Sequence, residues 1–455
     1  MRHMPDHTEF RETLHLWANA AWNVLRDEIR HVRSNPYRDV PRGGNAIGSW
    51  RPLPRFIWPE KLEAQLLFLP EWGAVIEASQ RDEVIRRHLQ EPVGTALGMR
   101  VVVLNEIAFS LWPTDRLVAL WRAGRDMIEA RDVAFDRVFE SLAAFLESDS
   151  TEFIVLVPLA GLLHTHGTFE LEPEVELGRF TDEELATLVE RGVLRDRFGD
   201  PYSREQIPEH MRAGLRRRMR TRKVIGGTPD AAEGSRLGAQ PAVDTLRIER
   251  ALAATTDGRV APQAFVAEQS GWVNGGMFTR WPASQSMPYD ENLPKATLAA
   301  NHSSVLAHAW AALADAEFEH GSGLRIPIDR LAGLAQRIND EDVIVDVAIA
   351  AEAFFRIPDA GPTRNNAHDR AQRAANWIDA ADLGLDQHAV REFMIRAARM
   401  RNSIVHQGAP DLALLGSAGD ATASLAGFAE TFERLVRRAV RKAVLSDPRP
   451  TVPIW

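Results

Sequence analysis

The chain contains no cysteine. That removes disulfides, thiolate metal sites and cysteine nucleophiles together, and it fits a reducing compartment. Long apolar runs are missing too: no stretch approaches the ~18 apolar residues that a bilayer-spanning helix needs. Met1 to His31 mixes charges and histidines with apolar residues and has no apolar leader core. A cytoplasmic protein with no membrane partner is therefore expected. Nor is there a basic excess. The net charge of −9 argues against coating nucleic acid by bulk electrostatics, although a few local arginines can still grip a few phosphates. No internal repeat of fixed period is present. The pairs Gly226-Gly227 and Gly275-Gly276 do not build a phosphate-loop signature.

What is present is ordinary for a globular protein. Of 455 residues, 45% are hydrophobic and 26% charged, enough for sizeable cores and about two to four domains. Residues 1–150 read as a helical region. Between Phe10 and Val32, Leu14, Trp17, Ala21, Val24, Leu25 and Ile29 recur near helical spacing. The Pro/Gly-rich stretch Asn35 to Pro59 reads as loop. Leu117 to Leu146 carries a second amphipathic pattern. Trp17, Trp22, Trp50, Trp58, Trp72, Trp112 and Trp121 fall in this region and read as core and interface packing.

The texture changes at Thr151, and residues 151–298 read as a mixed α/β region. Phe153 to Leu163 is a β-branched apolar run, and Thr168 to Leu177 a more polar candidate strand. Thr181 and Glu184 have the spacing of a capping box that opens a helix ending near Gly192. Thr245 to Thr255 and Arg259 to Glu268 read as further strands joined by Asp257-Gly258, and Gly226 to Gln240 as a mobile loop. Residues 299–455 carry almost no strand signal. Helices are expected over Leu298–Phe318, Ile328–Ile338, Asp340–Phe355, Ala367–Ile378, His388–Val405 and Ala421–Leu445, with short links that favour an antiparallel bundle. The expected fold class is thus α+β, multi-domain and mainly α.

The most informative string is RMRNSIVHQG, Arg399 to Gly408. Arg401 and His406 are five residues apart, which on an α-helix is about 7.5 Å of rise and about 140° of rotation. The two converge on one ligand only where the helix ends. Asn402 and His406 share a face, so the Asn402 amide can fix the imidazole tautomer, and Gly408 can close the helix in the left-handed conformation. The pair suits RNA cleavage. The ribose supplies its own 2′-hydroxyl nucleophile, a histidine titrates near neutrality as acid or base, and a guanidinium stabilises charge growing on phosphorus oxygens. No metal or other cofactor is required. On spacing alone, however, the pair also fits a solvated arginine and a histidine cap at a helix terminus.

The surroundings add to the motif. Arg337 precedes the acidic start of DEDVIVDVAIAAEAFF, Asp340 to Phe355, with Glu352 between two alanines; RAQRAANWI follows at Arg370 to Ile378, and RNSIVHQG closes the set. Over about Ala300 to Leu445 the chain resembles the Apea-like HEPN family, departing from it at Gln407. The resemblance implies an all-helical HEPN bundle that homodimerises and brings two R-x-x-x-x-H motifs together. It implies a metal-independent endoribonuclease of bacterial defence, of the antiphage, abortive-infection or toxin type, with an RNA substrate and a trigger or antitoxin as partner. A non-catalytic dimerisation or nucleotide- or RNA-binding module is the alternative. Carried over, Arg401 would act at the phosphate, His406 as general acid/base and Asn402 in orientation. Glu352 would pair with an arginine such as Arg401 or Arg373, or simply tie two helices together.

Weaker candidates lie outside that stretch. Arg212 to Lys223 holds seven basic residues in twelve positions. Arg216, Arg217, Arg218, Arg220, Arg222 and Lys223 would either grip RNA phosphates or form an acid-paired face. His164 and His166 project to one side of a strand but have no third ligand for zinc. His302 and His308, six apart, read as packing or surface residues.

Overall fold

Phe10, Leu14, Trp17, Ala18, Ala21 and Trp22 recur every three or four residues, so one face of helix α1 (Thr8–His31) is apolar and needs a partner. A computed structural model describes residues 7–31, 60–96, 98–100, 102–110, 135–136, 139–140, 142–164, 167–190, 193–194, 202, 206–269, 279–281, 289–314, 323–357, 366–417 and 420–446. In it α1 packs on α3 (Pro70–Arg81), which follows α2 (Glu60–Leu67) and leads into α4 (Glu83–Gln90). The Trp17 indole N–H donates to Leu66 O at 2.9 Å, and its ring meets Trp72 at 5.0 Å. Trp17, Trp22 and Trp72 are buried core residues, as expected. Trp50, Trp58, Trp112 and Trp121, the loop expected over Asn35–Pro59 and most of the second amphipathic pattern lie outside the described residues. Asp82 joins α3 to α4. It accepts the Ile85 N–H at 3.0 Å as N-cap and takes His7 Nδ1 at 2.5 Å.

Strands β1 (Val93–Thr95) and β2 (Gly98–Arg100) form a hairpin before α5 (Leu104–Ser110). The apolar run expected as a strand is β3 (Ser150–Ala160) continued by β4 (Leu162–His164). Thr168–Leu177 is two strands, β5 (Phe169–Glu172) and β6 (Val175–Arg179), turned at Glu174 with φ 72. Helix α6 (Asp182–Glu190) opens on the expected capping box. Thr181 N–H donates to Glu184 Oε2 at 2.6 Å, and Glu184 N–H to Thr181 Oγ1 at 3.2 Å. Strand β7 (Ala213–Arg222) pairs with both β3 and β6, and β8 (Val224–Ile225) reaches back to β1.

Two expectations fail at the next element. Thr245–Thr255 is not a strand, and Gly226–Gln240 is not a loop throughout. Ala231–Thr255 is one helix, α7. Asp230 caps it by accepting Ala232 N–H at 2.8 Å and Glu233 N–H at 3.3 Å. Thr255 and Thr256, which read as β-formers, return their hydroxyls to Ala251 O and Leu252 O at 2.7 and 2.8 Å. Pro241 sits inside the helix, and burial outweighs its propensity cost: Leu237, Pro241, Ile248, Ala251 and Leu252 share an apolar face, interrupted at the buried Asp244. Beyond it, β9 (Ala261–Pro262), β10 (Phe265–Gln269) and β11 (Thr279–Trp281) complete an antiparallel sheet of order β11-β10-β3-β7-β6-β5, with β9 on β3. β12 (Ala296–Leu298) pairs parallel to β4.

Among the described residues that follow, the α-helices are α8 (His302–Ala312), α9 (Arg325–Ala332), α10 (Asp340–Phe354), α11 (Ala367–Trp377), α12 (Gln387–Gln407) and α13 (Leu425–Val444). A helix occupies each expected stretch, but with different bounds. The first begins at His302, and its expected end at Phe318 lies outside the described residues. The second begins at Arg325, takes in Pro327 and passes after Ala332 into a 3-10 turn over Gly333–Gln336, and the last begins at Leu425. The chain is therefore α+β and mainly α, with a mixed sheet region and a C-terminal set of packed helices. One apolar cluster runs from Phe153 in the sheet through Ile248 and Leu252 of α7 to Val347, Phe393 and Phe432 of the bundle. No described helix is long and apolar enough to cross a membrane.

A buried ion cluster sits within that core. Arg437 of α13 is 1% exposed. It donates to Glu433 Oε1 at 2.8 Å, Ala253 O at 2.7 Å and Leu331 O at 3.3 Å, so it ties α13 to α7 and α9. Arg259 donates to Glu433 Oε2 at 2.7 Å from the other side. Burial opposes ionisation of Glu433, but Arg437 and Arg259 outweigh it and hold the carboxyl below its usual range. Replacing Arg437 with Met leaves Glu433 buried with one partner fewer and should cost about 3–5 kcal/mol. The same carboxylate stabilises the fold fully above the ordinary carboxylate range, and that contribution disappears as pH falls through the depressed native value. Urea melts of wild type and Arg437→Met between neutral and acid pH check both; a stability gap that does not narrow in acid contradicts the assignment.

Candidate functional site

Helix α12 carries the motif on its last turns. Val390, Phe393, Met394, Ala397 and Met400 bury one face against α10 and α11, which leaves the positions between them outward. Arg401 is half-buried, whereas Asn402, Val405 and His406 are exposed. Gly408 ends the helix at φ 75, and its N–H donates to Ile404 O at 3.1 Å. Behind the motif, buried Ser403 donates to Ala409 O at 2.8 Å and lies 3.1 Å from Gln407 Oε1. This seryl brace holds the chain as it turns away after His406. Sequence reasoning passed over Ser403; the signal was a small hydroxyl residue facing inward on an otherwise apolar face.

The motif residues are arranged differently from expectation in one respect. Asn402 Oδ1 accepts from Arg401 Nη1 at 3.0 Å, so the amide serves the guanidinium. Among the described residues His406 has no hydrogen-bond partner, and its ring stands in solvent. Arg401 Nε is shut off from solvent and has no acceptor. Asn402 thus holds Nη1 and Nε is sealed, which leaves Nη2 as the donor without a partner among the described residues.

Glu352 pairs with neither Arg401 nor Arg373. It accepts from Arg370 Nη2 at 3.2 Å, linking α10 to α11 at a partly exposed position. Arg373 is buried and donates through Nε to Phe355 O at 2.8 Å, closing the C-terminal end of α10. Burial is the leading cause that lowers its pKa. Both residues join the helices beneath the motif.

The basic stretch Arg212–Lys223 is mostly β7, and its residues, apart from Arg216, divide by strand alternation. Arg216 donates to Glu184 at 2.6 Å and lies over Phe180 at 5.3 Å. Arg217 is gripped by Asp244 and Glu172. Lys223 is buried on the Phe145 and Leu146 carbonyls, and desolvation lowers its pKa to about 8. Arg218, Arg220 and Arg222 are exposed. Arg218 lies 3.9 Å from Glu176, Arg220 donates to Ser150 Oγ at 2.8 Å, and Arg222 has no partner among the described residues. Three arginines are therefore available on one face, and the other four basic groups, including Arg212 with its Nε on Ile207 O at 3.0 Å, are spent on protein contacts.

Of the histidines, His164 is buried and packs against Phe169 at 4.7 Å, while His166 lies outside the described residues. His302 Nδ1 accepts the Ala299 N–H at 2.9 Å, and His308 is exposed. A further site escaped the sequence altogether. A cleft of about 330 Å³ is lined by the end of α7, by Pro294, Lys295 and Thr297 around β12, by His302 of α8, and by Glu430, Glu433, Arg434 and Arg441 of α13.

Comparison with protein-family models, curated proteins and solved structures returned no match.

Because the His406 ring is exposed and makes no hydrogen bond to a described residue, His406→Ala should change stability by less than about 0.5 kcal/mol. Glu352→Ala, which breaks only a partly exposed pair, should cost about 0.5–1 kcal/mol, with most of that shared with Arg370→Ala in a double-mutant cycle. Thermal melts give both values. A large loss at His406 would mean that the ring is structural.

Proposed function

We propose that the chain is a metal-independent endoribonuclease of the HEPN kind, acting in bacterial defence and cleaving RNA with Arg401 and His406. The observation that carries this reading is an exposed imidazole and a partly free guanidinium together at one glycine-closed helix end. His406 takes or returns the proton of the 2′-hydroxyl and leaving oxygen. Arg401, steadied by Asn402, offers charge to the phosphate. One histidine supplies acid or base but not both at once, so two copies across a two-fold axis complete the site. The exposed side chains of Val405 and Leu412, beside His406 in sequence, provide apolar surface for such a homodimer. Arg218, Arg220 and Arg222 would contact RNA phosphates elsewhere on the strand. Residues 1–298 would restrain the site until a trigger or antitoxin changes its state.

A second reading, a non-catalytic module that dimerises or binds RNA or nucleotide, is favoured by one observation: Asn402 is turned from His406, so no described residue orients the ring.

The test is RNA cleavage in EDTA by wild type, Arg401→Ala and His406→Ala, with sedimentation to report the oligomer. Cleavage should survive chelation and fall by at least ~100-fold in both variants. Activity abolished by EDTA, or retained in His406→Ala, overturns the proposal. Dimers that bind RNA without cutting it select the second reading.

A further inference from the structure

The cleft between α7, β12, α8 and α13 has a composition unlike a packing defect. Its volume, about 330 Å³, is at the lower end of the range for small-molecule sites. Its carboxylates are all spoken for. Asp257 accepts from Arg441 Nη2 at 2.7 Å, Glu430 from Arg434 at 2.5 Å, and Glu433 is bridged by Arg259 and Arg437. Thr255 and Thr256 return their hydroxyls to their own helix.

The groups left over are donors. Lys295 Nζ bonds only the Glu291 carbonyl at 2.7 Å and has no carboxylate partner among the described residues. Arg441 Nη2 is held by Asp257 and its Nε is closed off from solvent, which leaves Nη1 as its donor without a partner among the described residues. His302 Nδ1 accepts the Ala299 N–H at 2.9 Å and also lies 3.3 Å from Ala299 O. With Nδ1 as the acceptor, a neutral ring carries its proton on Nε2, which has no partner among the described residues. His302 also opens α8, an eleven-residue helix with no side-chain cap and no acid in its first turn. That terminus is the positive end of its dipole. The opposing negative end of α7 is already covered, because Arg437 Nη1 sits on Ala253 O at 2.7 Å and Thr256 O at 3.4 Å. The lining holds three cations, Lys295, Arg434 and Arg441, against three carboxylates, Asp257, Glu430 and Glu433. Each carboxylate is already taken by an arginine, with Arg259 and Arg437 reaching Glu433 from behind the lining, so Lys295 is the cation left without a carboxylate.

We propose that this cleft binds a phosphate-bearing small molecule, with Lys295, Arg441 and His302 as its ligands, at the seam where the sheet region meets the bundle. Elongated density of charge suits the site: a diphosphate or nucleotide tail lying from Lys295 to Arg441 satisfies donors at both ends. The seam includes α7 and α13, both joined to the core beneath α12, so occupancy stabilises the packing between the two regions. The site shares no residue with Arg401, Asn402 or His406 and does not depend on RNA cleavage.

The test uses the full chain and isothermal titration with inorganic pyrophosphate, ATP and, as a polyanion without phosphorus, citrate. Wild type should bind pyrophosphate or ATP saturably below ~1 mM, with a rise in melting temperature. Affinity should fall about tenfold or more in Lys295→Gln and in Arg441→Gln, and should be unchanged in Arg401→Ala. Lys295→Gln removes no contact with another side chain, so it reports on binding even if Arg441→Gln fails to fold. Absence of saturable binding to either phosphate probe overturns the proposal. So does equal binding of citrate, or binding unaffected by Lys295→Gln.

Discussion

Glu433 is a carboxylate inside an apolar core, and it is tolerable there only because two guanidiniums reach it from different parts of the chain. Arg259 comes from the turn after α7, and Arg437 from one helical turn further along α13. Arg437 then spends its remaining donors on carbonyls at the end of α7 and in α9. A hydrophobic core is forgiving about register, because most apolar contacts can be exchanged for similar ones. A charged group with its hydrogen bonds satisfied is not forgiving, since a shift of one turn would leave it unpaired in a low dielectric. This cluster therefore sets how α13 lies against α7, and through the shared core how α10 and α12 lie above them.

A second polar cluster does comparable work at the middle of α7, around Asp244 and Arg247. Glu172 accepts the Trp310 indole N–H at 3.0 Å and Arg247 at 3.1 Å, and it also meets Arg217, while Arg247 stacks over Trp310 at 4.0 Å. Burial opposes ionisation of Glu172, but these donors hold its pKa below the usual value. Asp244 behaves in the opposite sense: desolvation raises its pKa despite Arg217. The strand arginines that look from sequence like a phosphate track are in part the counter-ions of this network. Strand alternation separates Arg217 and Lys223 from Arg218, Arg220 and Arg222, while Arg216, which shares the parity of the exposed set, is spent because Glu184 lies within reach.

The two candidate sites occupy different physical settings. The Arg401–His406 pair is at a helix end on the surface, where a glycine and the Ser403 brace turn the chain away. The cleft lies over the polar seam, where groups from three separated segments meet and donors exceed free acceptors. The first needs a second copy to gain an acid and a base together; the second is complete within one chain.

Local signals carried a good deal of this. Apolar spacing located α1 and the bundle helices, Thr181 and Glu184 announced α6, β-branched density marked β3, and Gly408 marked the end of α12; each depends on residues within about one or two turns of each other. The pattern Arg401, Asn402, His406 was also legible as a motif, though not the partner that Asn402 selects, because side-chain choice within hydrogen-bond reach depends on rotamers that neighbours set. Long-range placement decided the rest. Thr245–Thr255 became helix because α7 buries an apolar face between sheet and bundle, an effect absent from any short window of sequence. The fates of Arg216, Arg217 and Lys223, the Glu433 cluster and the cleft all join residues tens to nearly two hundred positions apart. Their energies come from burial and pairing, which exist only once the chain has folded.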